Sequence, residues 1–180
     1  MQRRSRVLLS GLLLYLASGC SAAWTRREVP FVPTPPEVVD RMLELARVKG
    51  GDMVYDLGSG DGRIVIRAAK RYGVKGVGVE IDPDLVRLAR DNAAREGVAH
   101  LVEFRAEDAL AVDVTAATVV TLYMLPEFNA RLRPILQRQL KAGSRVVSHD
   151  FDIEGWRPDK VEHIYGGWHH THTLYLWTVP

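Results

Sequence analysis

The feature that most constrains this chain is Asp56-Leu57-Gly58-Ser59-Gly60-Asp61-Gly62, set between a short apolar run, Met53 to Leu57, and a helical pattern over residues 62–72. A brief apolar run that stops at glycines reads as a buried strand. Ile64, Val65, Ala68, Ala69 and Tyr72 recur at the spacing of one helix face. Glycines where a strand feeds a helix serve two needs: backbone angles that other residues avoid, and close approach of a ligand to the main chain. In open α/β sheets, ligands bind beyond the carboxyl ends of the strands.

The same alternation continues along the chain. Gly76 to Val79, Leu101 to Phe104, Thr118 to Tyr123 and Ser144 to Ser148 read as further strands. Between them, Pro83 opens a helix capped by Asp82, with Leu85, Leu88, Ala89, Asn92 and Ala93 on one face. Pro126 to Leu140 is a second helix, with Pro134 expected to kink it. Upstream, Thr34-Pro35-Pro36-Glu37 has the form of a capping box. It opens a helix carrying Val38, Val39, Met42, Leu43 and Ala46 and ending at Gly50-Gly51. Near the end, Val161 to Tyr165 and Thr171 to Val179 are strand-like around a glycine-containing turn, which predicts an antiparallel end to the sheet. The expectation is one α/β domain with a seven-stranded, mostly parallel sheet and helices on both faces. The connections at 109–117 and 152–160 are short, so helices there are expected to be reduced.

The second strand ends in Glu80, about 20 residues past the glycines, where an acid can accept hydrogen bonds from a ribose diol. A nicotinamide dinucleotide or S-adenosylmethionine (SAM) would both suit these two features. The glycine spacing separates them. A dinucleotide site wants GxGxxG with a helix N-terminus facing a pyrophosphate, whereas here the glycines run GxGxG and Asp61 sits inside the loop. A carboxylate beside a pyrophosphate is repelled. Asp56 and Asp61 suit a ligand with positive charge, such as the ammonium and sulfonium of SAM.

Val54-Tyr55-Asp56-Leu57-Gly58-Ser59-Gly60-Asp61-Gly62 resembles motif I of the class I SAM-dependent methyltransferases. Gly78-Val79-Glu80-Ile81-Asp82 resembles motif II, and Arg105-Ala106-Glu107-Asp108-Ala109 resembles motif III. The resemblance covers nearly all of residues 31–180 and implies a Rossmann-like fold with SAM as cofactor. It implies that Asp56 sets the loop and meets the methionine ammonium. Gly58, Ser59, Gly60 and Gly62 would pass the cofactor, Glu80 would hold the ribose, Asp108 the adenine, and Ile81 would pack on the adenine. Phe31-Val32-Pro33-Thr34-Pro35 is a candidate lid over the site, which brings Thr34 to the cofactor side. Together with Val146-Val147-Ser148-His149-Asp150-Phe151, these segments are similar to small membrane-tethered protein-lysine methyltransferases, including those acting on the c-subunit of ATP synthase. That implies a protein lysine as acceptor, with a small molecule as the alternative.

Methyl transfer from a sulfonium needs alignment more than catalytic groups, and a base only when the nucleophile arrives protonated. Two residues are candidates on the acceptor side. Tyr123 ends the fourth strand, and its ring favours a nearby cation. His149 follows the fifth strand and could face the pocket or act as a base. Trp168-His169-His170-Thr171-His172 places His170 and His172 on one strand face. Two ligands fall short of a closed zinc site, so no metal is expected.

Residues 1–23 differ from the rest. Arg3, Arg4 and Arg6 precede an apolar run from Val7 to Ala17, and the small residues Ala17-Ser18-Gly19-Cys20 resemble a lipobox. This has the layout of an export signal and is short for a membrane span. A lipidated Cys20, a cleaved leader, an uncleaved anchor and a misassigned start all remain open, so the domain is read as membrane-associated or exported, or else exposed to the cytosol. Residues 24–34 read as a linker, and the methyltransferase domain as 35–180. Cys20 is the sole cysteine, which excludes an internal disulfide. The formal charge is +2, three positive charges lie in the leader, and the near-neutral remainder lacks a nucleic-acid binder's basic footprint. Two rival functions follow from these features: an exported or tethered non-catalytic binding module, and a nicotinamide-linked oxidoreductase.

Overall fold

The computed structural model describes residues 31–166 and 170–180. The leader, residues 24–30 of the linker, Trp168 and His169 lie outside them. Eleven elements follow in order: α1 (Pro36–Leu45), β1 (Met53–Leu57), α2 (Arg63–Tyr72), β2 (Lys75–Glu80), α3 (Pro83–Arg95), β3 (Val102–Ala106), β4 (Val119–Leu122), α4 (Pro126–Gln139), β5 (Arg145–His149), β6 (Lys160–Gly166) and β7 (His170–Thr178). The strands form one seven-stranded sheet in the order β3-β2-β1-β4-β5-β7-β6. β1 to β5 pair in parallel, and β7 runs antiparallel to both β5 and β6. This is the Rossmann-like sheet that the alternating pattern predicts, with its antiparallel C-terminal strand.

Each face of the sheet has its own core. On one face, Val54, Val119, Val147 and Leu174 pack under α1, α2 and α3. On the other, Tyr55, Leu57, Val120, Leu122 and Val146 pack under Leu132 and Leu136 of α4. The connections at 109–117 and 152–160 form no helix, as expected; Ala109, Val112, Val114 and Ile153 fill the second core directly.

Three local expectations change. α1 begins at Pro36 with Pro35 as its N-cap and no side-chain cap bond. With Pro35 as N-cap, Thr34 stands one place outside the helix and Glu37 one place short of the position a capping box requires. Thr34 instead turns its hydroxyl to Nδ1 of His149, 3.2 Å away. α1 also stops before the glycines, at Leu45, and the chain turns through Arg47 at φ 52°. On α3, the buried face is Val86, Ala89 and Ala93, while Leu88 is exposed. Small alanines let the helix sit close to the glycine loop: a Cβ on Gly62 would come within 3.0 Å of Ala89 and 2.6 Å of the Phe104 ring. The Asp82 cap is present, accepting from the Asp84 amide at 2.8 Å.

At the amino ends of the strands, Asp52 fastens three segments. It accepts from Arg145 Nη2 at 2.7 Å, the Thr118 hydroxyl at 2.7 Å and the Lys49 amide at 2.9 Å. Burial pushes its carboxyl up, but Arg145, Thr118 and the amide outweigh it and hold the carboxyl below its ordinary value. A depressed carboxyl contributes stability that is present above the unfolded value near pH 4 and is lost as pH falls through the folded one. Asp52→Ala is expected to cost about 2 kcal/mol, because it strands a half-buried arginine. That lowers the melting temperature by roughly 6 °C at pH 7, with the difference shrinking below about pH 4. An unchanged melting temperature at pH 7 would remove this clasp from the account.

Candidate active site

The glycine loop lies where β1 ends and α2 begins, at the carboxyl edge of the sheet. Gly58 N–H and Ser59 N–H both donate to the Val79 carbonyl, at 2.8 and 2.9 Å, which pins the loop to β2. Gly58, Gly60 and Gly62 all have positive φ, at 83°, 53° and 81°. Gly62 is the left-handed N-cap of α2. A Cβ on Gly58 would stand 2.6 Å from Met124 Sδ, so only glycine leaves the cleft its floor.

Above this loop is a cleft of about 1010 Å³, part of it open to solvent. Thr34, Asp56, Gly58, Ser59, Glu80, Ile81, Asp108 and Tyr123 all line it. Gly60, Gly62 and His149 do not. The Gly60 amide donates to Glu80 Oε2 at 2.9 Å, and Gly62 packs on Phe104. The second oxygen of Glu80 accepts from the Asp82 amide at 3.0 Å, so this carboxylate is fixed at the rim by main-chain donors on both sides. Asp108, at the end of β3, turns one oxygen onto the Leu110 amide at 2.8 Å.

Asp56 sits at the bottom, 3% exposed. The Thr121 hydroxyl donates to its Oδ1 at 2.7 Å. Burial, assisted by repulsion from Asp61 and Glu80 and opposed by Thr121, pushes its carboxyl up to about 7. Asp61 is bound by the Arg63 guanidinium through two contacts, 2.9 and 2.6 Å, and the same guanidinium donates to the Thr34 carbonyl at 2.8 Å. Arg63 thereby ties the segment over residues 31–34 across the cleft. Phe31 follows, its ring so close to Gly60 that a Cβ there would fall 2.3 Å from it. Arg63 stands in the segment after the glycines that carries the family resemblance, whereas Thr121 and Met124 are brought to the site by β4 pairing beside β1.

Ser59 completes the fit. Its hydroxyl is buried and has no hydrogen-bond partner among the described residues. An orphan hydroxyl, a glycine floor and a ring of carboxylates together match a ligand with polar groups and positive charge.

Beside Tyr123 lies a second cluster. The His149 and Tyr123 ring centroids are 3.9 Å apart, and burial, with the nearby Asp150 charge, pushes the Tyr123 phenol up. His149 is fully buried, with Nε2 2.9 Å from His172 Nδ1 and 3.2 Å from Asp150 Oδ2. Burial, with smaller repulsion from His172 and His170, pushes its imidazole well below the usual value against the pull of Asp150. It is therefore neutral and one residue removed from the cleft. His172 turns to His149 and Asp150, and the donor atoms of these three residues lie within 4.8 Å of one another.

A family profile described as ANTKMT methyltransferase domain matches residues 56–160. The chain belongs to this methyltransferase family. It is 47% identical over 152 residues to a protein-lysine N-methyltransferase of Saccharolobus islandicus, covering 84% of this chain and 94% of the relative. It is 38% identical to the lysine N-methyltransferase of the ATP synthase c-subunit from Xenopus laevis, covering 77% of this chain but 59% of that longer protein. Among solved structures, it is similar to an RNA methyltransferase of Salinibacter ruber in complex with S-adenosyl-L-homocysteine (SAH), at 60% identity and a TM-score of 0.79, covering 83% of this chain and 94% of that one. The chain is a SAM-dependent methyltransferase.

The raised Asp56 carboxyl has a consequence for stability. Its folded value lies above the roughly 3.9 of an unfolded aspartate, so the native chain holds a proton that the unfolded chain releases. Its contribution to stability falls as pH rises from about 4 to 7. Asp56→Asn removes this loss. The ligand-free variant is expected to melt higher than the parent at pH 8 and close to it at pH 4. Parallel melting curves across this range would contradict the burial of a strained carboxylate here.

Proposed function

We propose that the chain transfers the methyl group to the ε-nitrogen of a lysine in a protein. The observation that carries this reading is the 47% identity to the archaeal lysine methyltransferase over nearly its whole length. SAM supplies a methyl carbon already activated by a sulfonium, and the chain's own residues align and shelter it. In this reading, Asp56 and the Ser59 hydroxyl receive the methionine end at the cleft floor. Glu80, held by the Gly60 and Asp82 amides, keeps a fixed geometry for two ribose hydroxyls. Ile81 and Asp108 take the adenine. Gly60 and Gly62 serve by shaping the loop, and Thr34 by joining the overlying segment to His149.

The name of the Salinibacter structure favours RNA as a second acceptor. The cleft argues against it. Asp56, Asp61, Glu80, Glu107 and Asp108 line it against two arginines, Arg63, which is bound to Asp61, and Arg131, over the Phe128 ring. Such a surface repels a polyanion. Labelling a cell extract with methyl-tritiated SAM is expected to mark proteins, at lysine by mass spectrometry, and Glu80→Ala is expected to lower the rate at least about a hundredfold. Label confined to RNA would overturn the lysine reading.

Residues 1–23 support a further proposal, tethering of the domain to a membrane. No helix among the described residues is long and apolar enough to cross one. The full chain is expected to sediment with membranes, and a chain starting at Trp24 to stay in the supernatant. Equal partitioning would discard the tether.

A further inference from the structure

We infer that Asp150, with the neighbouring rings of Tyr123 and Phe151, forms the binding site for the primary ammonium of the acceptor. This rests on the lysine reading above and specifies where the lysine docks.

The sheet divides the work at the carboxyl edge. Strand order places Asp56, Glu80 and Asp108 at the ends of β1, β2 and β3, on one side of the crevice between β1 and β4. Tyr123 and Asp150 follow β4 and β5 on the other side. The acids of the first half are engaged with the glycine loop and its neighbours, through Thr121, the Gly60 and Asp82 amides, and the Leu110 amide. Asp150 accepts one amide too, from Thr173 at Oδ1, but its Oδ2 faces two histidines. Its side chain keeps 20% exposure, and its ion-pair neighbours among the described residues are histidines, His149 at 3.2 Å and His172 at 3.5 Å. Burial keeps His149 neutral. Two imidazoles 2.9 Å apart do not both carry charge. Asp150 therefore pairs with no lysine or arginine among the described residues and with at most one charged imidazole, and an incoming ammonium supplies a full positive charge.

The surroundings suit a lysine side chain in two further ways. Tyr123 and Phe151 stack with centroids 6.1 Å apart at an interplanar angle of 21°. Aromatic faces attract a cation and pack along its methylene stem. Tyr123 also lines the cofactor cleft and feels the charge of Asp150, so the carboxylate stands close behind the cleft wall. The backbone is built to hold it there. Asp150 has φ 59°, a left-handed conformation that costs a non-glycine residue energy. Three bonds maintain it: its amide to the Thr173 carbonyl at 2.7 Å, the Thr173 amide to its Oδ1 at 2.9 Å, and the Phe151 amide to the His149 carbonyl at 2.8 Å.

Asp150→Asn tests the site while keeping the backbone, since asparagine also tolerates left-handed angles. With the full chain, saturating SAM and poly-L-lysine as acceptor, the variant is expected to raise KM about tenfold or more. Its affinity for SAM is expected to stay within about twofold of the parent. Unchanged KM and kcat would overturn the inference. A second measurement needs no variant: n-butylammonium titrated into the SAH-bound chain is expected to shift the NMR signals of Asp150, Tyr123 and Phe151, and shifts confined elsewhere would overturn it. If the parent methylates RNA but neither poly-L-lysine nor any protein, the lysine reading fails instead, and the n-butylammonium titration still decides Asp150 by itself.

Discussion

The structure depends on carboxylates held close together at one edge of a sheet. Asp56 lies under the glycine loop, where burial, with added repulsion from Asp61 and Glu80, raises its carboxyl to about 7. Like charges at such range oppose folding unless each has a partner. The chain supplies partners one at a time: Thr121 for Asp56, Arg63 for Asp61, and the Gly60 and Asp82 amides for Glu80. What remains is a negative hollow with a neutral floor of glycine, and a cationic cofactor relieves it. Stability is traded for binding here, as functional sites commonly do.

The crossover from β1 to β4 then separates two tasks. One half of the sheet edge is ordered by main-chain donors around the loop, and the other by an aromatic and imidazole cluster packed behind Tyr123. The segment over residues 31–34 touches both halves, through the Thr34 carbonyl on Arg63 and the Thr34 hydroxyl on His149. Arg63 and Thr34 thus join the glycine loop to the acceptor side by direct hydrogen bonds. The antiparallel β7 is what makes the second cluster possible, because it returns His172 and Thr173 alongside the end of β5.

Much of this is legible in the sequence. The strand–glycine–helix unit, the acid ending β2 and the switch to an antiparallel end are local patterns, and local patterns survive folding. The Thr34 cap misleads, because a capping box is also a local pattern and nothing local shows that a buried imidazole, 115 residues away, takes the hydroxyl. The α3 face misleads for a related reason: leucines signal burial, but close packing beside Gly62 selects alanines. His149 does end a strand as its pattern indicates, yet its neutrality and its distance from the cleft follow from His172 and Asp150, which only the sheet brings together. Asp150 lies in a segment that carries the family resemblance, but nothing in that segment shows which groups face its carboxylate.

The most direct measurement of the central claim is calorimetric titration of the full chain with SAM at pH 7, repeated in buffers of different ionisation enthalpy. If a cationic ligand settles over a carboxyl poised near 7, binding releases a fraction of a proton, and the observed heat changes with the buffer. The release disappears at pH 9, where the carboxyl is already ionised. Tight SAM binding with buffer-independent heat at pH 7 would contradict the account, because Asp56 would then be either ionised beforehand or remote from the ligand's charge.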